Sequence, residues 1–538
     1  MAAQNKPEVV KSSNPQLARF RRLPRQLRRR SPFSGSIEPK RVPLIALGSS
    51  RPTLPFPHPW NYGKPIEILE TFFHNADLDE SSSRHNRYLD VPGFTPVLVT
   101  RDPALIRAIS MMTGDKPGMF DRDTLPSSGI ARATGADTLL YANGAKWKRQ
   151  KKLSTPPFAR TSLFVPERFH EFEETFRATV RKRLGAVRDT VAIKGEPLRV
   201  ELEPEIKAIM LEMLVVNFFG AEVSYDEIRN RYVPALDTVI NHIVRDTVVN
   251  KLGIPLYRVP SLTNGIAEAK EAQRDFERLT DLVIAPRVTG KGQWGQFKSD
   301  APDDLLRGNI RVFLAGALEA TTSYASWALS HLAHSPEWQD RIADEVAGID
   351  SYSPESLASA ECLNLALMET LRLTPSLYFH PRRATSETLV TTHAEQTIKI
   401  PDRTHILLDV WHANRHEDHW GEEITGHRAD RFEPDRWNEL ERRGRSAKDM
   451  LHFGFGHGPR FCPGKSLGQL EVALVVGSCV KLFRFAAVNS HNQARAGVST
   501  KPADGVRVDI HLRDRRDGPV SQTKSGSGRM KCPFNHGA

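Results

Sequence analysis

At 538 residues, with 39 % hydrophobic and 26 % charged side chains, the chain can bury a sizeable core, which argues against a disordered or collagen-like protein. The formal net charge is +11, but the basic residues are spread out rather than gathered in a nucleic-acid motif, so no nucleic-acid partner is expected. The four cysteines, Cys362, Cys462, Cys479 and Cys532, show neither paired spacing nor C-x-x-C, which argues against a disulfide framework and points to a reducing, cytoplasmic setting.

In chain order, the first segment is the most basic. Met1 to Arg30 carries nine Lys or Arg against the single acid Glu8, with Arg28, Arg29 and Arg30 in a row. Three readings stand: a solvated disordered arm, an organellar address, and an adhesive for an anionic surface or partner. Residues 31–64 are rich in Pro, Ser and Gly and suit an extended strap. Pro65 to Ala76 reads as a helix, Arg87 to Thr100 as a strand pair around Pro92-Gly93, and Asp102-Pro103 as the opening of a short helix through Met111. An irregular stretch, Thr113 to Leu139, has the length of a functional loop.

From Gly144 the pattern turns helical, with helices expected near 144–155, 166–188, 202–219, 224–248, 264–288, 303–334, 336–347 and 357–373. Strands are expected at Leu389–Ile400, Ile406–Leu408, Phe483–Val488 and Val506–Leu512. The fold class is therefore mainly α with a minor β region. The expected organisation is an arm at 1–39, one catalytic domain at 40–515 and a disordered tail at 516–538. No run of 18 apolar residues exists. The nearest, Ile206 to Val223, is interrupted by Lys207, Glu212 and Glu222, so no transmembrane anchor is expected.

The chemistry-bearing stretch is Phe455-Gly456-His457-Gly458-Pro459-Arg460-Phe461-Cys462-Pro463-Gly464. Glycines at 456 and 458 permit positive φ and close approach to a flat ligand. Pro463 suits the first turn of the apolar-periodic run Leu467, Leu470, Val472, Ala473, Leu474, Val476. Cys462 would then lie near a helix N-terminus, which favours a thiolate able to ligate haem iron. Taken alone, the cysteine reads first as a buried structural residue in a Gly-Pro turn. Cys532-Pro533 in the tail lacks both the Gly-rich turn and the following helix.

The whole decapeptide resembles the haem-binding loop of the cytochrome P450 family, Phe-Gly-x-Gly-x-Arg-x-Cys-x-Gly, at every constrained position. Resemblance implies a haem-thiolate monooxygenase that uses O2, haem b (iron protoporphyrin IX) ligated by Cys462, and Phe455, Gly456, Arg460 and Gly464 around it. The haem would lie between the long helix carrying Thr321 and the helix after Cys462. Other segments follow in the family's order: Glu369-Thr370-Leu371-Arg372 and Phe432-Glu433-Pro434-Asp435-Arg436 imply a buried triad of Glu369, Arg372 and Arg436. Glu-x-x-Arg is common elsewhere in this chain, and its ordinary reading is a surface ion pair.

In Ala315-Gly316-Ala317-Leu318-Glu319-Ala320-Thr321, Thr321 resembles the family's oxygen-activating alcohol, with Ala317 beside the substrate. The family's acid directly before this Thr is replaced by Ala320, and Glu319 stands one residue earlier, about 100° round a helix. The other register keeps Glu319 as the acid and leaves Ala320 in the Thr position. Propionate partners implied are Trp147 and Lys151 (a Lys where the family has Arg), Arg382 with Arg383 as fallback, and Arg460. Substrate contacts are expected from 113–139 and Ser376-Leu377-Tyr378-Phe379, for a small apolar organic molecule. Neither a flavin nor an iron–sulfur motif is present, so electrons would come from a separate ferredoxin, flavodoxin or reductase docking at Lys146, Lys148, Arg149, Lys151 and Lys152. Peroxide-dependent, nitric-oxide-reducing or rearranging chemistry, and a haem sensor without turnover, are the alternatives.

Overall fold

The computed structural model describes residues 31–41, isolated positions between 66 and 73, 84–90, 95–114, 116–122, 134–135, 137–249, 266–286, 292–295, 303–349, 351–392, 394–446, 450, 452–491 and 493–513. The basic arm, most of the strap, nearly all of the helix expected at Pro65–Ala76, and the tail with Cys532 lie outside these residues.

The main helices are α1 (Pro103–Met111), α2 (Gly144–Ser154), α3 (Pro166–Lys194), α4 (Glu203–Glu212), α5 (Val233–Val249), α6 (Ile266–Ile284), α7 (Asp303–Ala333), α8 (Pro336–Val346), α9 (Glu361–Leu373) and α10 (Lys465–Leu482). The side chain of Asp102 accepts from the amides of Ala104 and Leu105 and starts α1 at Pro103. The helix expected at 357–373 is two helices. Ser353 and Ser356 form a capping box that starts a short helix at Pro354, and the chain turns at Ala360 before α9. Helix α4 runs on into a π-helical turn, Met213–Phe218.

Strands β1 (Ser34–Gly35), β2 (Lys40–Arg41), β3 (Asn86–Leu89), β4 (Val97–Thr100), β5 (Phe120–Asp121), β6 (Leu198–Glu201), β7 (His380–Ala384), β8 (Thr388–Thr391), β9 (Thr397–Ile400), β10 (His405–Leu408), β11 (Phe483–Ala487), β12 (Ala494–Ala496), β13 (Thr500–Pro502) and β14 (Arg507–Leu512) complete the frame. The largest sheet among the described residues has the order β2-β3-β4-β10-β7-β5. Its β4–β10 pair is parallel and its β10–β7 pair antiparallel, with Ile406 opposite Arg382. Strands β6 and the β12–β13 hairpin were not expected, because short strands with exposed or polar alternation carry almost no apolar signal.

The core explains the helix order. Helix α10 is buried over most of its surface, with Leu470, Val472, Val475 and Val476 fully buried between α3, α7 and α8. Helix α7, 31 residues long, crosses the molecule and packs on α4, α9 and α10. It is tied to α2 by Asn309, whose Nδ2 donates to Gln150 Oε1 (2.6 Å) and Ser154 Oγ (3.0 Å) while its Oδ1 accepts from the Leu139 amide (2.7 Å). Among the described residues no helix is long and apolar enough to cross a membrane.

Candidate active site

The cysteine loop folds as a tight turn leading into α10. The Cys462 amide donates to the Phe455 carbonyl (2.9 Å), closing the turn, and Gly456 and Gly458 take φ values of 74° and 69°. The two glycines do different work. A Cβ at Gly458 would lie 2.3 Å from the Ser110 carbonyl oxygen, so its close approach is to the end of α1 and not to a ligand. Pro463 is not in the first helical turn either: α10 begins at Lys465, with Gly464 as the N-cap. Cys462 is half-buried and free, and a Cβ at Gly464 would lie 3.8 Å from its sulfur. Burial pushes the thiol pKa up, opposed by the Gly464 amide and the Lys465 ammonium. Cys362 and Cys479 are also free.

Behind the loop, Glu369, Arg372 and Arg436 meet with no exposed side-chain surface. Arg372 donates from Nε and Nη2 to the two Glu369 oxygens at 2.9 and 2.7 Å, a bidentate fork, and Arg436 Nε donates to Glu369 Oε1 at 3.1 Å. Burial raises the Glu369 pKa, but Arg372 first and then Arg436 outweigh it and hold the carboxyl below its ordinary range. The remaining guanidinium N–H groups bind carbonyls: Arg372 those of Asn414, Ala429 and Arg431, and Arg436 those of Trp420, His427 and Arg428. Three side chains thus hold the irregular segment 414–431 in place.

On the other side of the loop lies a cluster of cations. Arg460 spends Nη2 on Asp121 Oδ1 (3.0 Å), the Ala142 carbonyl (2.8 Å) and Asn143 Oδ1 (2.7 Å), while its Nε and Nη1 are buried without a partner. Trp147 supports it, with the guanidinium carbon 4.2 Å from the indole centroid. Arg382 is buried on β7 and its Nε is unpartnered, as is that of Arg122. Burial, then repulsion from Arg122 and Arg460, lowers Arg382 to about 9. Burial and Arg122 lower Arg460 to about 10. Three guanidiniums face one carboxylate, Asp121, and two positive charges are left without a partner among the described residues. Haem brings two propionates, so the residues fit it.

Lys151 is placed differently from the arginines. Its Nζ donates to the Pro459 carbonyl (3.0 Å) and lies over the Trp147 and Phe461 rings. Arg383 is exposed, on the opposite face of β7 from Arg382. His380, on the same face as Arg382, is buried, and burial and the neighbouring arginines lower it to about 3. Sequence reasoning missed Arg122, Asp121 and His380. Only His380 had a signal, the period of two from Arg382 along a strand.

Helix α7 presents an open strip of small residues. Gly316 is exposed although mid-helix, a Cβ there would meet nothing within 4 Å, and Ala317 and Ala320 are half-buried. Thr321 is turned away from the strip. Its hydroxyl donates to the Ala317 carbonyl (2.8 Å), and its methyl lies 3.6 Å from where a Cβ on Gly468 of α10 would be. Glu319 lies in a buried ion cluster, with Lys501 Nζ at 2.9 Å, Ser499 Oγ at 2.9 Å and Lys207 Nζ at 3.3 Å. Burial raises it, but Lys501 and Lys207 hold it down at about 2. Ser376 Oγ donates to the Ala320 carbonyl (3.0 Å), fixing the turn after α9 against the strip. In that turn Leu377 is exposed, Phe379 is half-buried and Tyr378 is buried with its hydroxyl on Gly497. Phe455 of the loop stacks edge-on with Tyr324 of α7, centroids 6.2 Å apart.

A mainly helical frame, a cysteine turn opening a buried helix, and a cation cluster with only one carboxylate among the described residues fit the class of haem-iron oxidoreductases. The sequence model of the family described as cytochrome P450 matches residues 268–502. The chain is 26 % identical to a cytokinin hydroxylase of Arabidopsis thaliana over 489 residues, covering 83 % of this chain and 88 % of that protein. It is 24 % identical to cytochrome P450 734A6 of Oryza sativa (82 % of each chain) and 23 % identical to cytochrome P450 monooxygenase abl5 of Leptosphaeria maculans (71 % of this chain, 73 % of that protein). These matches support a cytochrome P450 family member, an oxidoreductase similar to enzymes named as hydroxylase and monooxygenase.

Proposed function

We propose that the chain, over a catalytic domain at about 40–515, binds haem b and inserts one oxygen atom from O2 into an apolar organic substrate, with electrons from a separate protein. The observation that carries this reading is the half-buried Cys462 on a loop whose Arg460 joins Arg382 and Arg122 around a single carboxylate, Asp121. Bound haem supplies the oxidation chemistry that no side chain can. Cys462 would ligate its iron, and Arg382, Arg460 and Arg122 would hold its propionates. Trp147 positions Arg460, Lys151 holds the loop at Pro459, and the Glu369–Arg372–Arg436 triad keeps the loop's support rigid. Gly316, Ala317 and Ala320 leave room on α7 for the ligand pair. Thr321 keeps its proton on the Ala317 carbonyl until a stronger acceptor draws it away. The exposed Lys148, Arg149 and Lys152 on α2 offer an acidic electron carrier its docking site. Names of relatives, a hydroxylase and a monooxygenase among them, agree with this class of reaction.

One feature favours a second reading. The strip on α7 carries neither acid nor alcohol, since Glu319 is held by two lysines and Thr321 by its own helix. Peroxide-dependent, nitric-oxide-reducing or rearranging chemistry needs no such relay. Reduction under carbon monoxide tests the haem-thiolate: a far red-shifted Soret band is expected in the wild type and absent in Cys462→Ser. Turnover with peroxide alone, without oxygen-dependent product from a reductase system, would decide for the second reading.

A further inference from the structure

Far along the chain from the cysteine loop, three imidazoles converge. Among the described residues, His85, His416 and His419 each offer a ring nitrogen within 4.8 Å of the others. His85 immediately precedes β3, while His416 is the N-cap of the short helix Glu417–Trp420 and His419 lies within it, on the segment that Arg372 and Arg436 hold. The His85 and His416 rings are edge-to-face at 4.2 Å, and His419 lies 5.6 Å from each. His85 Nδ1 and His419 Nε2 are both buried without a hydrogen-bond partner. Leaving two such nitrogens unmatched is unfavourable unless something binds them. His416 Nδ1 accepts from the Asp418 amide (3.2 Å), so its lone pair is on Nδ1, the atom a metal would take in exchange for that long hydrogen bond.

We propose that His85, His416 and His419 form a binding site for one divalent transition-metal ion, zinc by its ligand type, clipping β3 to the segment beneath the haem loop. Zinc takes imidazole nitrogens at about 2.0 Å in a tetrahedron, which places ligand atoms about 3.3 Å apart, so each ring has to close by less than about 1 Å. Water takes the fourth position, and compensating charge comes from Asp418, an acid beside the three-residue cluster. Its Oδ2 already stands 3.6 Å from His85 Nε2 and 3.8 Å from His416 Nδ1. The clip joins residues some 330 positions apart in sequence, estimated from the spacing of His85 and His416. It does not depend on the reaction assigned to the haem site.

The test uses the haem-loaded protein, stripped with a chelator, incubated with zinc chloride and dialysed, with metal analysis and thermal melting. About one zinc per chain should be retained, with a saturable rise in Tm. His85→Ala, His419→Ala and the milder His419→Gln should lose both effects while keeping the red-shifted carbon monoxide band. His170→Ala, at an exposed site elsewhere, should keep both. X-ray absorption at the zinc edge should show nitrogen and oxygen neighbours at about 2.0 Å and no sulfur. A wild-type protein that retains no zinc, variants that retain as much as wild type, or a zinc–sulfur shell would each overturn the proposal.

Discussion

Arg382 is the residue on which haem retention should depend most simply, because its buried Nε has no partner and burial opposes its charge. Arg382→Ala should release haem to an acceptor such as apomyoglobin about 10- to 100-fold faster than wild type, the worth of one charge-assisted hydrogen bond. An unchanged rate would remove Arg382 from the propionate site. Thr321→Val keeps the shape against Gly468 and deletes the hydroxyl that sits on Ala317. If that hydroxyl serves oxygen activation, product formed per O2 consumed should fall at least about 10-fold while peroxide-driven turnover stays within a few-fold. Equal coupling in the variant would transfer the chemistry to the second reading.

At the scale of elements, the two buried charge clusters behave differently. In the α9 triad, Arg372→Lys loses the fork, and it also strands the carbonyls of Asn414, Ala429 and Arg431. Urea unfolding should show a loss of about 3 kcal/mol or more, with impaired haem incorporation. The Glu319 cluster links α7 to α4 and β13 through Lys207 and Lys501. Its carboxyl is held near pKa 2 in the fold, against an ordinary value of 4.5. A depressed carboxyl stabilises the fold above its unfolded pKa. That contribution is therefore full above about pH 5 and is lost as pH falls from about 4.5 towards 2. Glu319→Gln should flatten the acid limb of the stability profile in this window and leave neutral-pH unfolding weaker by about 3 kcal/mol, because two lysines stay buried with fewer partners. An identical acid limb in the variant would show that other groups govern acid unfolding.

At the scale of the whole molecule, the exposed cations of α2 lie on the helix that carries Trp147 and Lys151, beside the cysteine loop. If an acidic carrier docks there, the second-order rate of haem reduction should drop steeply between low and physiological salt, and Lys148→Glu with Lys152→Glu should weaken that dependence. A salt-independent rate would place the docking site elsewhere.

The amino-acid sequence alone determined the parts whose signals are local. The cysteine turn needs Gly456 and Gly458 and is followed by an apolar run, the N-cap at Asp102 announces α1, and the long helix periods mark α2 to α10. Chain order and resemblance supplied the grouping of Glu369 with Arg372 and Arg436. Only the tertiary structure decided which helix face is open, because Gly316 and Ala320 differ from Thr321 and Glu319 by what packs against them and not by their own chemistry. It also decided the size of the cation cluster, since Arg122 sits in an irregular stretch where no periodicity predicts a direction. The imidazole cluster has the same cause: His85 meets His416 and His419 only because the strand that follows it joins the sheet beside a segment fastened by buried arginines, a long-range packing event that no local pattern encodes.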